Sequence, residues 1–168
     1  MKHLVLTLIL VPTLLFGQTS KLDQKNGFRS FKIGQNISAH KAKTIYQGTS
    51  INKDTKKYDV DEKITVLNYP ATVDLVTYKD LIIGINVRFE NITSASFDEL
   101  LKALEDVYGP SYNSDYDTKK PDYLKNETTR LWNGKKLGMQ FSYNSKLAKA
   151  VIGIWDMNSV TTNYESEF

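Results

Sequence analysis

The sequence predicts an α+β domain: an antiparallel sheet with two helices packed on one face, in two layers. Three observations predict it. Several short stretches alternate apolar and polar residues, the period of a half-buried strand. Two stretches carry helix start and stop signals. The order of helix, polar loop and strands occurs twice, each time around an Asp-Thr-Lys-Lys quartet (Asp54–Lys57 and Asp117–Lys120). That repetition points to a duplicated helix-plus-strands unit.

The elements follow along the chain. Gly27–Ile33 reads as a short strand ended by Gly34. Asn36 or Ser38 can cap a helix over 37–46, with Ile37, Ala42, Ile45 and Tyr46 as its apolar stripe. After a polar loop, Tyr58 and Val60 alternate, then Ile64 and Val66, then Val73 and Leu75, with Pro70 as an interruption. Lys79-Asp80 makes a turn. Leu81, Ile83, Ile85, Val87 and Phe89 then share one strand face, opposite Gly84, Asn86, Arg88 and Glu90.

The next helix is the best specified. Ser96 and Glu99 form a capping box, and Phe97, Leu100, Leu101, Leu104 and Val107-Tyr108 line one side. Gly109-Pro110 stops it. A tyrosine-rich loop follows. Arg130-Leu131-Trp132 enters a strand and Asn133-Gly134 is a tight turn. Leu137, Met139, Phe141 and Tyr143 alternate on the next strand, and Ala150, Ile152 and Ile154 on the last.

The chain divides into four parts. Residues 1–17 read as a signal peptide: Lys2 supplies a positive start, Leu4 to Phe16 an apolar run, and Gly17-Gln18 a polar boundary. That run is too short to span a bilayer, which takes about 20 apolar residues. Residues 18–26 are polar and expected to be loose, 27–156 form the single domain, and 157–168 form a frayed tail. The expectation is an exported protein, periplasmic or extracellular and not membrane-spanning. There is no cysteine, so it carries neither disulfides nor a lipidated cysteine.

The net charge is +3 and the lysines are scattered, so no nucleic-acid partner is expected. One histidine, His40, remains beyond the leader, and the flanking lysines put it on a solvent-facing side of the first helix. A serine-histidine-acid triad or a zinc site would need more. Asp115 with Asp117, and Asp59 with Asp61-Glu62, do not fit a calcium loop. No catalytic residue, metal or cofactor is therefore assigned.

The aromatic residues give the one positive hint. Tyr112, Tyr116 and Tyr123 lie in the loop after the second helix, and tyrosine is enriched at binding surfaces. They are the candidate binding residues. Tyr108, on the core side of the helix period, reads as structural. Trp132 and Trp155 read as core or sheet-face residues.

The opening Gly27-Phe28-Arg29-Ser30-Phe31-Lys32-Ile33-Gly34, the Tyr108-Gly109-Pro110 helix stop and the Leu131-Trp132-Asn133-Gly134 strand end resemble small exported bacterial α/β proteins with a GF(R/K)xxKxG opening. That family is functionally uncharacterised. The resemblance covers about residues 27–156, implies an exported α/β domain and brings no active site with it. The tyrosine-rich insertion at 111–126 departs from its pattern. The resulting expectation is a non-enzymatic exported module that binds a protein or an envelope component. The alternatives are a small envelope hydrolase using carboxylates, or a structural envelope protein without a ligand.

Overall fold

The computed structural model describes residues 20–49, 53–113 and 126–159. They form an α+β fold dominated by one antiparallel sheet. Strands β1 (Gly27–Phe28) and β2 (Phe31–Lys32) form a small hairpin. The main sheet contains β3 (Thr44–Thr49), β4 (Thr55–Val60), β5 (Ile64–Val66), β6 (Tyr69–Tyr78), β7 (Leu81–Glu90), β8 (Tyr112–Asn113), β9 (Glu127–Asn133), β10 (Leu137–Asn144) and β11 (Lys149–Asp156). Its order is β3-β4-β6-β7-β11-β10-β9-β8, and β5 pairs with β6. The helices are α1 (Lys21–Lys25) and α2 (Ser94–Tyr108), with a 3-10 helix at Ile37–Lys43.

The core follows the predicted alternation over most strands. Val73 and Leu75 of β6, Ile85, Val87 and Phe89 of β7, Met139 and Phe141 of β10, and Ile152 and Ile154 of β11 are all buried. Phe97, Leu100, Leu101, Leu104 and Tyr108 of α2 join the same cluster. Phe97 stacks on Phe141 and Tyr143, with centroids 4.6 and 5.1 Å away.

The first helical segment differs from expectation. It is a 3-10 helix that stops at Lys43, and Thr44–Thr49 continue as edge strand β3. Asn36 caps it as expected, its Oδ1 accepting from the Ser38 N–H. Beyond Lys43 the β-branched and aromatic run Thr44-Ile45-Tyr46 favours extended backbone. Ile45 and Tyr46 are therefore exposed on a strand, and Ala42 is exposed too. His40 is corrected as well. It is 7 % exposed, tilted against Phe31 with centroids 4.7 Å apart, and its Nε2–H donates to Gln35 Oε1.

Strand β7 breaks its own alternation. Between the pairs Val76↔Gly84 and Thr77↔Ile82 the register shifts, leaving Ile83 as an extra residue. A bulge of this kind reverses the faces beyond it. Ile82 is consequently fully buried, while Leu81 is exposed and Ile83 half-buried. Both were expected on the core face.

Helix α2 begins earlier than the Ser96 box implies. Thr93 is the N-cap, with its Oγ1 accepting from the Ser96 N–H. Glu99 instead accepts from the Tyr69 hydroxyl at 2.7 Å. Val107 points to solvent, while Gly109 ends the helix at φ 94° as expected. The segment Gly27–Ile33 is a hairpin rather than one strand, because Arg29 turns at φ 53°.

The loose segment expected over 18–26 is instead helical at Lys21–Lys25. Ser20 caps it and Leu22 is buried in the common core. Asp23 reaches the turn between β9 and β10, where its carboxylate accepts from the backbone N–H groups of Lys135, Lys136 and Leu137 at 2.7, 3.1 and 3.1 Å. A Cβ on Gly134 would lie 2.3 Å from Asp23 Oδ1, so only glycine allows that approach. The turn spans Gly134–Lys136, one residue longer than an Asn-Gly turn. The predicted signal peptide and residues 160–168 lie outside the described residues.

Candidate functional site

The strand register assembles the site on the sheet face turned away from the core. One cross-strand row reads Asp59, Asp74, Asn86, Gly153, Gln140, Leu131 and Tyr112. A neighbouring row reads Lys57, Val76, Gly84, Trp155, Gly138 and Asn133. Such rows arise because alternate side chains point to opposite faces and cross-strand partners share a face.

Trp155 sits between two glycines. A Cβ on Gly138 would fall 2.4 Å from Trp155 Cε2, so the indole lies over the bare backbone of β10. On its other flank Gly84 leaves a trough of about 230 Å³, lined by Val76, Ile83, Gly84, Asn86, Trp155 and Ser159. The indole is half-buried, with one flank against β10 and the other along the trough. Gly153 extends the floor, with Asn86 Oδ1 3.5 Å from where its Cβ would be.

Beside the trough stands a charge cluster. Asp74 is only 2 % exposed. Its Oδ1 is in ion contact with the Arg88 guanidinium, and its Oδ2 accepts from Asn86 Nδ2 at 3.0 Å and lies 3.8 Å from Lys57 Nζ. Asp59 is its direct cross-strand partner. Two carboxylates facing each other repel, and Arg88 and Lys57 offset that repulsion. A buried carboxylate held by ion contacts and an amide in this way has both oxygens occupied by structural partners.

Two other depressions have simpler content. One, about 360 Å³, lies along the β3–β4 edge beside Gln47, Gly48, Thr55, Lys56 and Lys57. Its lysines are already paired, Lys56 Nζ with Asp80 Oδ1 at 2.7 Å and Lys57 Nζ with Asp74 Oδ2 at 3.8 Å, so its size marks no chemistry. Another, about 320 Å³, lies between Leu22, Tyr108, Tyr112 and Trp132. There the polar ends of Tyr108 and Trp132 are already committed. The Tyr108 hydroxyl donates to Gly27 O at 3.0 Å, and Trp132 Nε1–H donates to Gly109 O at 2.7 Å. Burial raises the Tyr108 pKa above the ordinary phenol value, keeping it a neutral donor.

Tyr112, the one described member of the tyrosine set, is 43 % exposed on β8, at the end of the row that starts at Asp59. Tyr116 and Tyr123 lie outside the described residues, as do Asp115 and Asp117. Among the described residues no group of three or more histidine, cysteine or acidic side chains is placed to hold a metal. No helix among them is long and apolar enough to cross a membrane.

No family model matches the chain, and neither does any curated protein or solved structure.

Asp74, Arg88 and Trp155 are the residues that sequence reasoning passed over as a site. The alternation already separates Asn86 and Arg88 from the core side of β7. What it lacks is the register that brings Asp74 and Trp155 beside them.

Proposed function

We propose that this chain is an exported, non-enzymatic module, periplasmic or extracellular, that binds a protein or an envelope component through the outer face of its sheet. The observation that carries this reading is the half-buried Trp155 between Gly138 and Gly84, with amide and charged side chains in the adjoining row. An aromatic surface flanked by polar groups suits recognition. Tyr112, at the end of that row, extends the same surface, and Tyr116 and Tyr123 are the proposed additions from the loop that follows it.

The architecture proposed with it is a two-layer domain made by duplication. The sheet order supports this. Strands β3, β4, β6 and β7 form one half, β8, β9, β10 and β11 the other, and the halves meet at β7–β11. A helical segment precedes each half.

A hydrolase working with carboxylates would draw on Asp59 and Asp74. The commitment of Asp74 to Arg88 and Asn86 speaks against that use. The test is affinity capture from an envelope extract by the mature protein and by Trp155→Ala. The expected outcome is a retained component that Trp155→Ala loses. Identical capture by both proteins, or none by either, would sink the outer-face reading.

A further inference from the structure

Resting on that reading, we propose that the trough beside Trp155 takes one pyranose ring of an uncharged glycan. The first support is shape. Gly138 lets the indole settle onto β10, and the absence of a side chain at Gly84 leaves room on its free flank. The trough, about 230 Å³, is smaller than the roughly 300–1,000 Å³ of sites for drug-sized ligands, and suits a single ring. The electron-rich face of an indole attracts the weakly positive axial C–H groups of a sugar ring laid against it.

The second support is polar chemistry. A sugar hydroxyl both donates and accepts, so its site needs both functions close together. Amides supply both. Asn86 donates through Nδ2 to Asp74, and its Oδ1 stands over the glycine floor. Gln140, next in the row, donates through Nε2 to Ser142 Oγ at 3.2 Å, and its Oε1 is an acceptor.

The third support is charge. Arg88 and Lys57 are countered by Asp74 and its cross-strand neighbour Asp59, and Lys149 pairs with Glu90 at 2.9 Å on the same face. With these charges internally paired, the surface suits a neutral ligand better than an anion.

The experiment titrates the full-length mature protein with neutral oligosaccharides of glucose, N-acetylglucosamine, xylose and mannose. Tryptophan emission and calorimetry are the readouts. Trp132 is 3 % exposed, so a saturable emission change reports Trp155. Gly84→Val narrows the trough from the strand opposite Trp155. Its Cβ would meet Val76 Cβ at 3.4 Å, an ordinary contact, and its melting temperature is measured alongside to establish that the variant is folded. At least one sugar series should bind saturably, and Gly84→Val and Trp155→Ala should each weaken it at least tenfold. No saturable binding in any series, or binding unchanged in Gly84→Val, overturns the proposal. If no sugar binds while envelope capture still depends on Trp155, the glycan inference falls and the binding module stands. If capture fails too, both fall.

Discussion

His40 and Asp74 show how a polar group is retained inside this domain. Burial, followed by the nearby Lys43, lowers the His40 pKa below its ordinary 6.5, while Glu62 opposes them. The folded state therefore holds the imidazole neutral, and the unfolded chain binds its proton more readily. The stability this contributes is present above pH 6.5 and is lost as pH falls through that value towards the lowered folded pKa. Melting temperature should fall on acidification across this window, and His40→Gln should flatten that part of the profile. Asp74 is kept by the opposite device, a charge partner. Arg88→Ala should cost about 2–3 kcal/mol in urea unfolding, below the roughly 3–5 of a fully buried pair because Arg88 is partly exposed and Lys57 remains. Adding Asp74→Asn to that variant should recover part of the loss, since it removes the stranded charge.

Among the elements, α2 and the turns carry distinct consequences. Leu104 faces the core and Lys102 faces solvent. Leu104→Ala should destabilise by about 2–5 kcal/mol, with Lys102→Ala within about 0.5, as measured by chemical unfolding. The β5–β6 turn places Leu67 at φ 49° and Asn68 at φ 74°, a left-handed pair in which leucine is a poor choice. Leu67→Asn should raise stability by about 0.5–1 kcal/mol, seen as a higher urea midpoint. Sequence pattern located α2, β7, β10 and β11 because each buries one largely regular face, whereas β8, both residues exposed, fell inside the expected tyrosine-rich loop. It misplaced Leu81 and Ile83 because a bulge is a pairing event with no local mark. It missed β3 because Ile45 and Tyr46 fit a helical stripe as well as a strand. It passed over α1 because one buried apolar residue, Leu22, has no period.

Across the whole molecule, the candidate site exists only through long-range register. Gly84, Trp155 and Gly138 come from β7, β11 and β10, and none has a neighbour in sequence that hints at the others. Tyr112 was legible as an aromatic in a polar loop. The trough was not, because glycine beside tryptophan acquires meaning only when strands align.

The Asp23 clamp has a bearing on the order of assembly. Its hydrogen bonds join positions 112 to 114 residues apart, and their acceptor is useless until the β9–β10 hairpin exists. Contacts so distant along the chain close late. Helix α1 should thus dock last on refolding and detach first on opening. Burial raises the Asp23 pKa, but the three backbone donors and Ser20 outweigh it and hold the carboxyl below 3.8. The clamp is consequently intact above pH 3.8 and loosens as pH falls below it towards the lowered folded pKa. Hydrogen exchange should find the amides of Lys135–Leu137 opening before those of β11, and Asp23→Asn should speed their exchange while leaving β11 protected. Helix α1 would then be a latch on the last-formed corner, released without unfolding the sheet.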